Sequence, residues 1–219
     1  MKTILSVFVA LFVVNTAFSQ QTKFGIKVGA NISSLTDVVD SELNSQWPIY
    51  HKDGSGTMTG FHAGVFLNAS FGLFLGFQPE LLFSMQGGRL THTYIGSPIV
   101  EDNRTFKFGY INIPLLLEIK PVANLGILVG PQIGFNVSRK AKSLVYENFS
   151  GSDFDLRYLG VKKIDVAFAF GLQYTIQDLT FGVRYNYGLT NNHDVPTSYE
   201  GDRKGWKNRV FQFSLGYAF

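Results

Sequence analysis

Few residues in this chain have the chemistry for catalysis. There is no cysteine among its 219 residues, which removes disulfides, thiolate metal sites, a cysteine nucleophile and a lipid-bearing amino-terminal cysteine. Of the four histidines, His51, His62, His92 and His193, only His193 has a carboxylate beside it, Asp194. A His–Asp pair orients a general base, as an acyl-transferring or hydrolytic site requires, but the nucleophile that would complete the set is not evident. The pair falls in a polar connecting stretch, where it reads as a solvated turn. No His-Glu-x-x-His spacing occurs. Catalytic residues, metal and cofactor are therefore all expected to be none. A second group of reactive types is spread across the chain: Lys27, Glu80, Glu118, Asp165 and Arg184, each embedded in a segment that is otherwise apolar on alternate residues. Charges so placed must pair or hold water, because unpaired burial is costly. Their chemistry is a salt-bridged plug, with a proton or ion path as the functional alternative, and Glu80 with Arg184 is the expected pair.

The elements that position these charges are strands. From Lys23, Phe24, Ile26, Val28, Ala30 and Ile32 take one face and Lys23, Gly25, Lys27, Gly29 and Asn31 the other. The period-two pattern returns seven times. Its apolar faces are Phe61 to Ala69, Leu73 to Met85, Ile111 to Ile119, Leu125 to Val137, Ile164 to Leu172, Leu179 to Tyr187 and Phe211 to Phe219. The opposite faces are glycine, asparagine, glutamine, serine and the charges above, with His62 among them in a hydrogen-bonded structural role. In the fourth segment, roughly Thr105 to Lys120, Pro114 cannot donate a ladder hydrogen bond, so a bulge or kink is expected there.

Connections alternate in length. Ser70-Phe71-Gly72, Pro121 to Asn124 and Thr175 to Asp178 are tight turns, whereas Ser34 to Met58, Gly88 to Arg104, Ser138 to Gly160 and Thr190 to Gly205 are long loops. Short turns at one end and long loops at the other belong to an outer-membrane barrel. A soluble lipocalin-like barrel also has eight strands but puts its bulky apolar residues inside; here the bulk lies on the uniformly apolar face and suits lipid. The fold class is therefore all-β, an eight-stranded antiparallel transmembrane β-barrel with up-and-down meander topology. Its edges must all be paired, the last strand against the first, because hydrocarbon offers backbone groups no partner. Tyr174, Tyr217 and Phe219 at one end and Tyr187, Phe83 and Phe211 at the other are expected as interfacial girdles.

Residues 1–19 read as a signal peptide: Lys2 is the positive start, Ile4 to Val14 the apolar stretch, and Ala17-Phe18-Ser19 the small-residue cleavage site. A membrane helix needs about 20 apolar residues, and Asn15 and Thr16 interrupt the run first. The barrel domain is expected to occupy 20–219, with no plug domain before the first strand and no peptidoglycan-binding domain after Phe219. A net charge of +3 and a charged fraction of 16% give neither a nucleic-acid-binding surface nor an acidic tail.

Phe77-Gln78-Pro79-Glu80-Leu81-Leu82-Phe83-Ser84, Tyr110-Ile111-Asn112-Ile113-Pro114-Leu115-Leu116 and Arg184-Tyr185-Asn186-Tyr187-Gly188-Leu189 resemble segments of the porin-like outer-membrane β-barrel family common in Bacteroidota, of PorT-like type. The resemblance spans the chain after residue 19. It implies a location in the bacterial outer membrane, reached through the periplasm, with Phe219 resembling the terminal aromatic read by the barrel-assembly machinery. It implies a barrel and no particular activity.

Function is then expected in the loops, which a rigid scaffold presents for recognition. Trp47 and Tyr50 in the first loop and Tyr146, Phe154 and Tyr158 in the third are candidates for an adhesive or ligand-binding patch of unknown ligand, against a reading in which they pack on one another. Arg139-Lys140-Ala141-Lys142 and Arg203-Lys204, with Lys207 and Arg209, are placed for the phosphates of outer-membrane lipid and lipopolysaccharide. The expected role is structural or surface recognition without enzymatic activity; a small-solute channel and an outer-membrane lipid-modifying enzyme are the alternatives.

Overall fold

The computed structural model describes residues 22–36, 51–94, 100–143, 162–192 and 206–219. They form the strands β1 (Thr22–Thr36), β2 (His51–Gly56), β3 (Met58–Phe71), β4 (Leu75–Tyr94), β5 (Val100–Val122), β6 (Leu125–Ser143), β7 (Ile164–Ile176), β8 (Leu179–Gly188) and β9 (Lys207–Ala218). Every pairing is antiparallel, each strand of the ring meets its sequence neighbours, and β1 pairs with β9. The ring is thus closed. β2 and β3 are one stave with a break at Thr57: β2 continues along β4, and the register moves by one residue between Gly56↔Arg89 and His62↔Ser84. Nine strands therefore make eight staves, an up-and-down antiparallel barrel.

Side-chain polarity is turned outside in. Ile26, Val28, Leu81, Phe168, Phe170, Leu172, Phe181 and Phe213 stand on the outer face, each with roughly two-fifths or more of its surface exposed, whereas Lys27, Asn31, His62, Gln78, Glu80, Glu118, Arg184 and Gln212 are buried in the lumen. A barrel dissolved in water would not present such a wall. A barrel in hydrocarbon must, because the bilayer solvates the apolar face and the ladder satisfies the backbone.

This sense reverses at the long-loop end. Along β5 the inward residues become Phe106, Phe108 and Tyr110, while Lys107 faces out and is exposed. Leu35, Met58 and Val210 likewise turn inward and are buried. Apolar inside and polar outside is the pattern of a sheet that has entered water, so the change near Gly109 marks where the wall leaves the bilayer. β5 has 23 residues and β8 only 10. At ~3.3 Å per residue and a tilt of ~40°, β8 rises about 25 Å, the height of the apolar band, and β5 about 58 Å. The surplus lies on one side, where β2, β4, β5 and β6 continue as a sheet beyond the ring.

The structure corrects several expectations. The first tight turn is Gly72-Leu73-Phe74 rather than Ser70–Gly72, and Gly72 adopts φ +71°, which suits glycine. Leu73 therefore belongs to the turn. His51 and His92 lie in β2 and β4, not in loops, because the second long loop is largely a hairpin extending to Tyr94 and Val100. No bulge sits at Pro114. Register is the same on both sides of it against β4 and against β6, with the ladder lapsing only opposite Glu80 and Leu81 and opposite Gly130 and Pro131. The bulges of β5 and β6 fall instead at Gly109/Tyr110 and Ile119/Val122.

Candidate functional site

Inward residues of a strand recur every second position, so neighbouring staves stack polar side chains in tiers along the lumen. The lowest tier lies above the tight turns. Glu118 Oε1 accepts from Gln173 Nε2 at 2.5 Å, its Oε2 accepts from Asn68 Nδ2 at 2.8 Å, and Lys120 Nζ stands 3.2 Å from the same oxygen. These groups line a polar cup of about 170 Å³.

Above it, Glu80 collects the strongest interactions of the lumen. Arg184 binds its carboxylate in bidentate fashion, Nη1 to Oε2 at 2.8 Å and Nη2 to Oε1 at 2.6 Å. Lys27 Nζ donates to Oε1 at 2.5 Å and Gln78 Nε2 to the same oxygen at 2.7 Å. Lys27 also lies 5.1 Å from the centroid of the Phe66 ring, so its ammonium faces both a carboxylate and an aromatic face. Two cations on one carboxylate leave this tier with a net positive charge, buried at 3–4% exposure for all three residues. Gln78 joins the two tiers, since its Oε1 accepts from Asn68 and Gln173 while its amide donates to Glu80.

The next tier is neutral. His62 sets Nδ1 against Asn31 Oδ1 at 2.8 Å and Nε2 against Ser214 Oγ at 3.0 Å. Asn31 Nδ2 donates to Ser84 Oγ and to the carbonyls of Phe61 and Met85, and Gln212 links Asn31 to Asn186. Both ring nitrogens of His62 are thereby engaged by neutral groups, an arrangement that orients structure rather than a nucleophile. Higher still, Asp165 accepts from Thr190 Oγ1 at 2.7 Å and from Asn208 Nδ2 at 2.8 Å, and Asn208 also reaches the Tyr110 hydroxyl at 3.3 Å. Leu35, Phe106, Phe108 and Tyr110, with Trp206 packed against them, form an apolar cap over the lumen.

The five charged residues singled out from sequence are thus all buried, but they do not make one network of ion pairs. Lys27, Glu80 and Arg184 converge, Glu118 is tied to them through Gln173 and Gln78, and Asp165 sits apart, bonded to Thr190 and Asn208. Gln78, Gln173, Asn68 and Lys120 complete the lower tiers and were not singled out beforehand. Their inward parity was readable; the convergence of side chains from distant strands, Gln173 with Gln78 across 95 residues of sequence among them, was not. Trp47, Tyr50, Tyr146, Phe154 and Tyr158, and the pair His193-Asp194, lie outside the described residues.

A closed ring of eight staves, lipid-compatible outside and hydrogen-bonded inside, is the geometry of a bacterial outer-membrane barrel. The sequence agrees: residues 18–194 match the family model described as "Outer membrane protein beta-barrel domain". The chain belongs to this family. No curated protein matches the chain. Among solved structures, the outer-membrane barrel domain is similar to Ail, the attachment invasion locus protein of Yersinia pestis, at 14% identity, 91% of this chain and 99% of that one, with a TM-score of 0.45. It is similar also to Neisserial surface protein A, at 13% identity, 91% and 100% coverage and a TM-score of 0.48. A third is OprG of Pseudomonas aeruginosa, at 13% identity, 91% and 97% coverage and a TM-score of 0.38. In an outer-membrane barrel domain the tight turns face the periplasm and the long connections the exterior. Phe24, Tyr217 and Phe219 then form a periplasmic aromatic group, with ring centroids 5.6 Å apart for Phe24–Phe219 and 5.9 Å for Tyr217–Phe219. The last residue is also stitched to the first strand, Phe219 N donating to Phe24 O at 2.8 Å.

Proposed function

We propose that this protein is a closed, non-enzymatic barrel of the porin-like Bacteroidota type whose work is done by the surface it presents outside the cell. The observation that carries the reading is the one-sided continuation of β2, β4, β5 and β6 past the bilayer, a rigid wall for the connections at 37–50, 95–99 and 144–161. The lumen argues for closure rather than transport, since Arg184 and Lys27 cross it to reach Glu80 and an apolar cap lies above. In this reading residues 1–19 are removed on export, and the barrel-assembly machinery takes the chain by its terminal Phe219.

The absence of native cysteine makes a clean test possible. Ser97→Cys, in the hairpin connection of β4 and β5, should react with a membrane-impermeant maleimide on intact cells, while Ala123→Cys, in a tight turn, should react only after lysis. The purified barrel in a planar bilayer should give no discrete conductance steps. Reversed labelling would overturn the outward wall, and stable unitary conductance from the unmodified protein would establish a channel instead.

A further inference from the structure

The central tier of the lumen is one negative charge short. Lys27 and Arg184 share Glu80, while the other carboxylate of the lower lumen, Glu118, already faces Lys120 at 3.2 Å. At the rim Lys23 and Asp178 cancel one another across 3.0 Å. Among the described residues, the three cations Lys27, Lys120 and Arg184 thus stand against the two carboxylates Glu80 and Glu118. The excess falls in the central tier, where Lys27, Glu80 and Arg184 are buried, and a charge so enclosed is costly without a partner.

A donor of the same tier is also left over. Arg184 commits Nη1 and Nη2 to Glu80, and its Nε–H is buried with no hydrogen-bond acceptor. Lys27 Nζ gives a single hydrogen bond, to Glu80, and an ammonium carries further protons. Both residues line a cavity of about 10 Å³, walled also by Gln173, Thr180, Gly182 and Ser214. That is room for one occupant of about the size of a water molecule. The space exists because β8 sets a glycine between Thr180 and Arg184 on its inward face, and the atom nearest to a Cβ at Gly182 would be 3.6 Å away. Gln173 and Thr180 also wall the polar cup below, so the cavity backs onto the cup on the side of the tight turns.

We propose that this cavity is a binding site for a single small monovalent anion, a halide such as chloride, held by the Arg184 Nε–H and the Lys27 ammonium. Such an ion completes the charge of the tier and supplies the missing acceptor together, through charge-assisted hydrogen bonds. Water would satisfy the Nε–H and leave the tier positive. Phosphate, sulfate and organic carboxylates are too large for the space. The neutral tier of His62 and the apolar cap stand above, so the ion is a resident counter-charge and not one in transit.

Crystals of the detergent-extracted protein soaked in sodium bromide, with anomalous data collected at the bromine edge, test the site. A bromide peak is expected in contact with Arg184 Nε, and none in Gly182→Ala, whose methyl group occupies the cavity. Urea unfolding of the barrel in vesicles reads the same ion in solution, with sodium gluconate, too bulky to enter, replacing sodium chloride at constant ionic strength. Each tenfold rise in chloride above its dissociation constant should raise the unfolding midpoint of the unmodified protein by about 0.7 M. Lys27→Met makes the tier neutral, and its midpoint, like that of Gly182→Ala, should not respond to chloride. Heat-dependent gel mobility reports separately that each variant is a folded barrel, and its absence in the unmodified protein would remove the barrel and this site together. A cavity without a bromide peak, an unmodified midpoint indifferent to chloride, or a response that persists in Gly182→Ala would overturn the proposal.

Discussion

Replacing Glu80 by glutamine keeps the shape of the central tier and removes the charge on which it is built. The carboxylate accepts four hydrogen bonds, two from Arg184, one from Lys27 and one from Gln78. Glutamine offers one oxygen in their place and turns an amide donor toward donors, leaving two cations buried without a counter-charge. Breaking a buried ion pair from one side costs about 3–5 kcal/mol. At a urea dependence of about 2 kcal/mol per molar, a loss of about 4 kcal/mol lowers the unfolding midpoint by ~2 M. The assay is urea unfolding of the barrel in vesicles, read as loss of the heat-modifiable band. Arg184→Met leaves Lys27 and Gln78 on Glu80 and should cost only about 1.5–3 kcal/mol, the worth of charged hydrogen bonds. The combination Glu80→Leu, Lys27→Met, Arg184→Met removes every charge of the tier and should come within about 1 kcal/mol of the unmodified protein or exceed it. A Glu80→Gln barrel that unfolds at the unmodified midpoint, or a triple variant as damaged as the single one, would refute the reasoning.

Close backbone approach predicts a contrast between two inward glycines. A methyl on Gly64 would collide with the Leu81 carbonyl and lie 2.8 Å from Leu82 Cα, so Gly64→Ala should lose most of the folded band on a gel, whereas at Gly182 the nearest atom is 3.6 Å away and Gly182→Ala should fold as before. Phe170, half exposed near the middle of β7, faces acyl chains, and Phe170→Arg should destabilise the barrel by about 2–4 kcal/mol in vesicle unfolding experiments. Deleting Phe219 should reduce the amount of barrel in the outer-membrane fraction of cells several-fold while leaving detergent refolding of the purified chain within twofold; equal loss in both settings would show a packing role only.

Within the bilayer the sequence is unusually explicit, because one face of each strand meets hydrocarbon and the other a crowded polar lumen. Ile26 and Val28 against Lys27 and Gly29 state the inside and the outside of β1 without help from any other strand, and Glu80 and Arg184 could be matched as inward charges several residues above their turns. Legibility ends where the solvent changes. Past Gly109 the outer face of β5 meets water, the aromatic residues Phe106 and Phe108 move inside, and the period-two signal changes sense; β2 and the upper parts of β4 and β5 therefore read as loop. Pro114 misled for a different reason. A missing donor need not break register when flanking pairs hold both neighbouring strands, so the lapse stays local. The bulge at Gly109/Tyr110 had no sequence mark of its own.

The stitch between Phe219 and Phe24 sets the order of events in making this molecule. β1 meets β3 through pairs only 25 to 47 residues apart, yet its other edge waits for β9, whose partners in the register lie 171 to 193 residues away. Until β9 has docked on β1 the assembling barrel is a sheet with two open margins, and contacts of such long range are slow to form. A nascent chain of this kind must be kept from pairing with its neighbours throughout its passage to the membrane. Ribosomes that stall before Val210 would thus release an adhesive, edge-bearing fragment rather than a smaller barrel, and the cell has reason to degrade it before it reaches another copy.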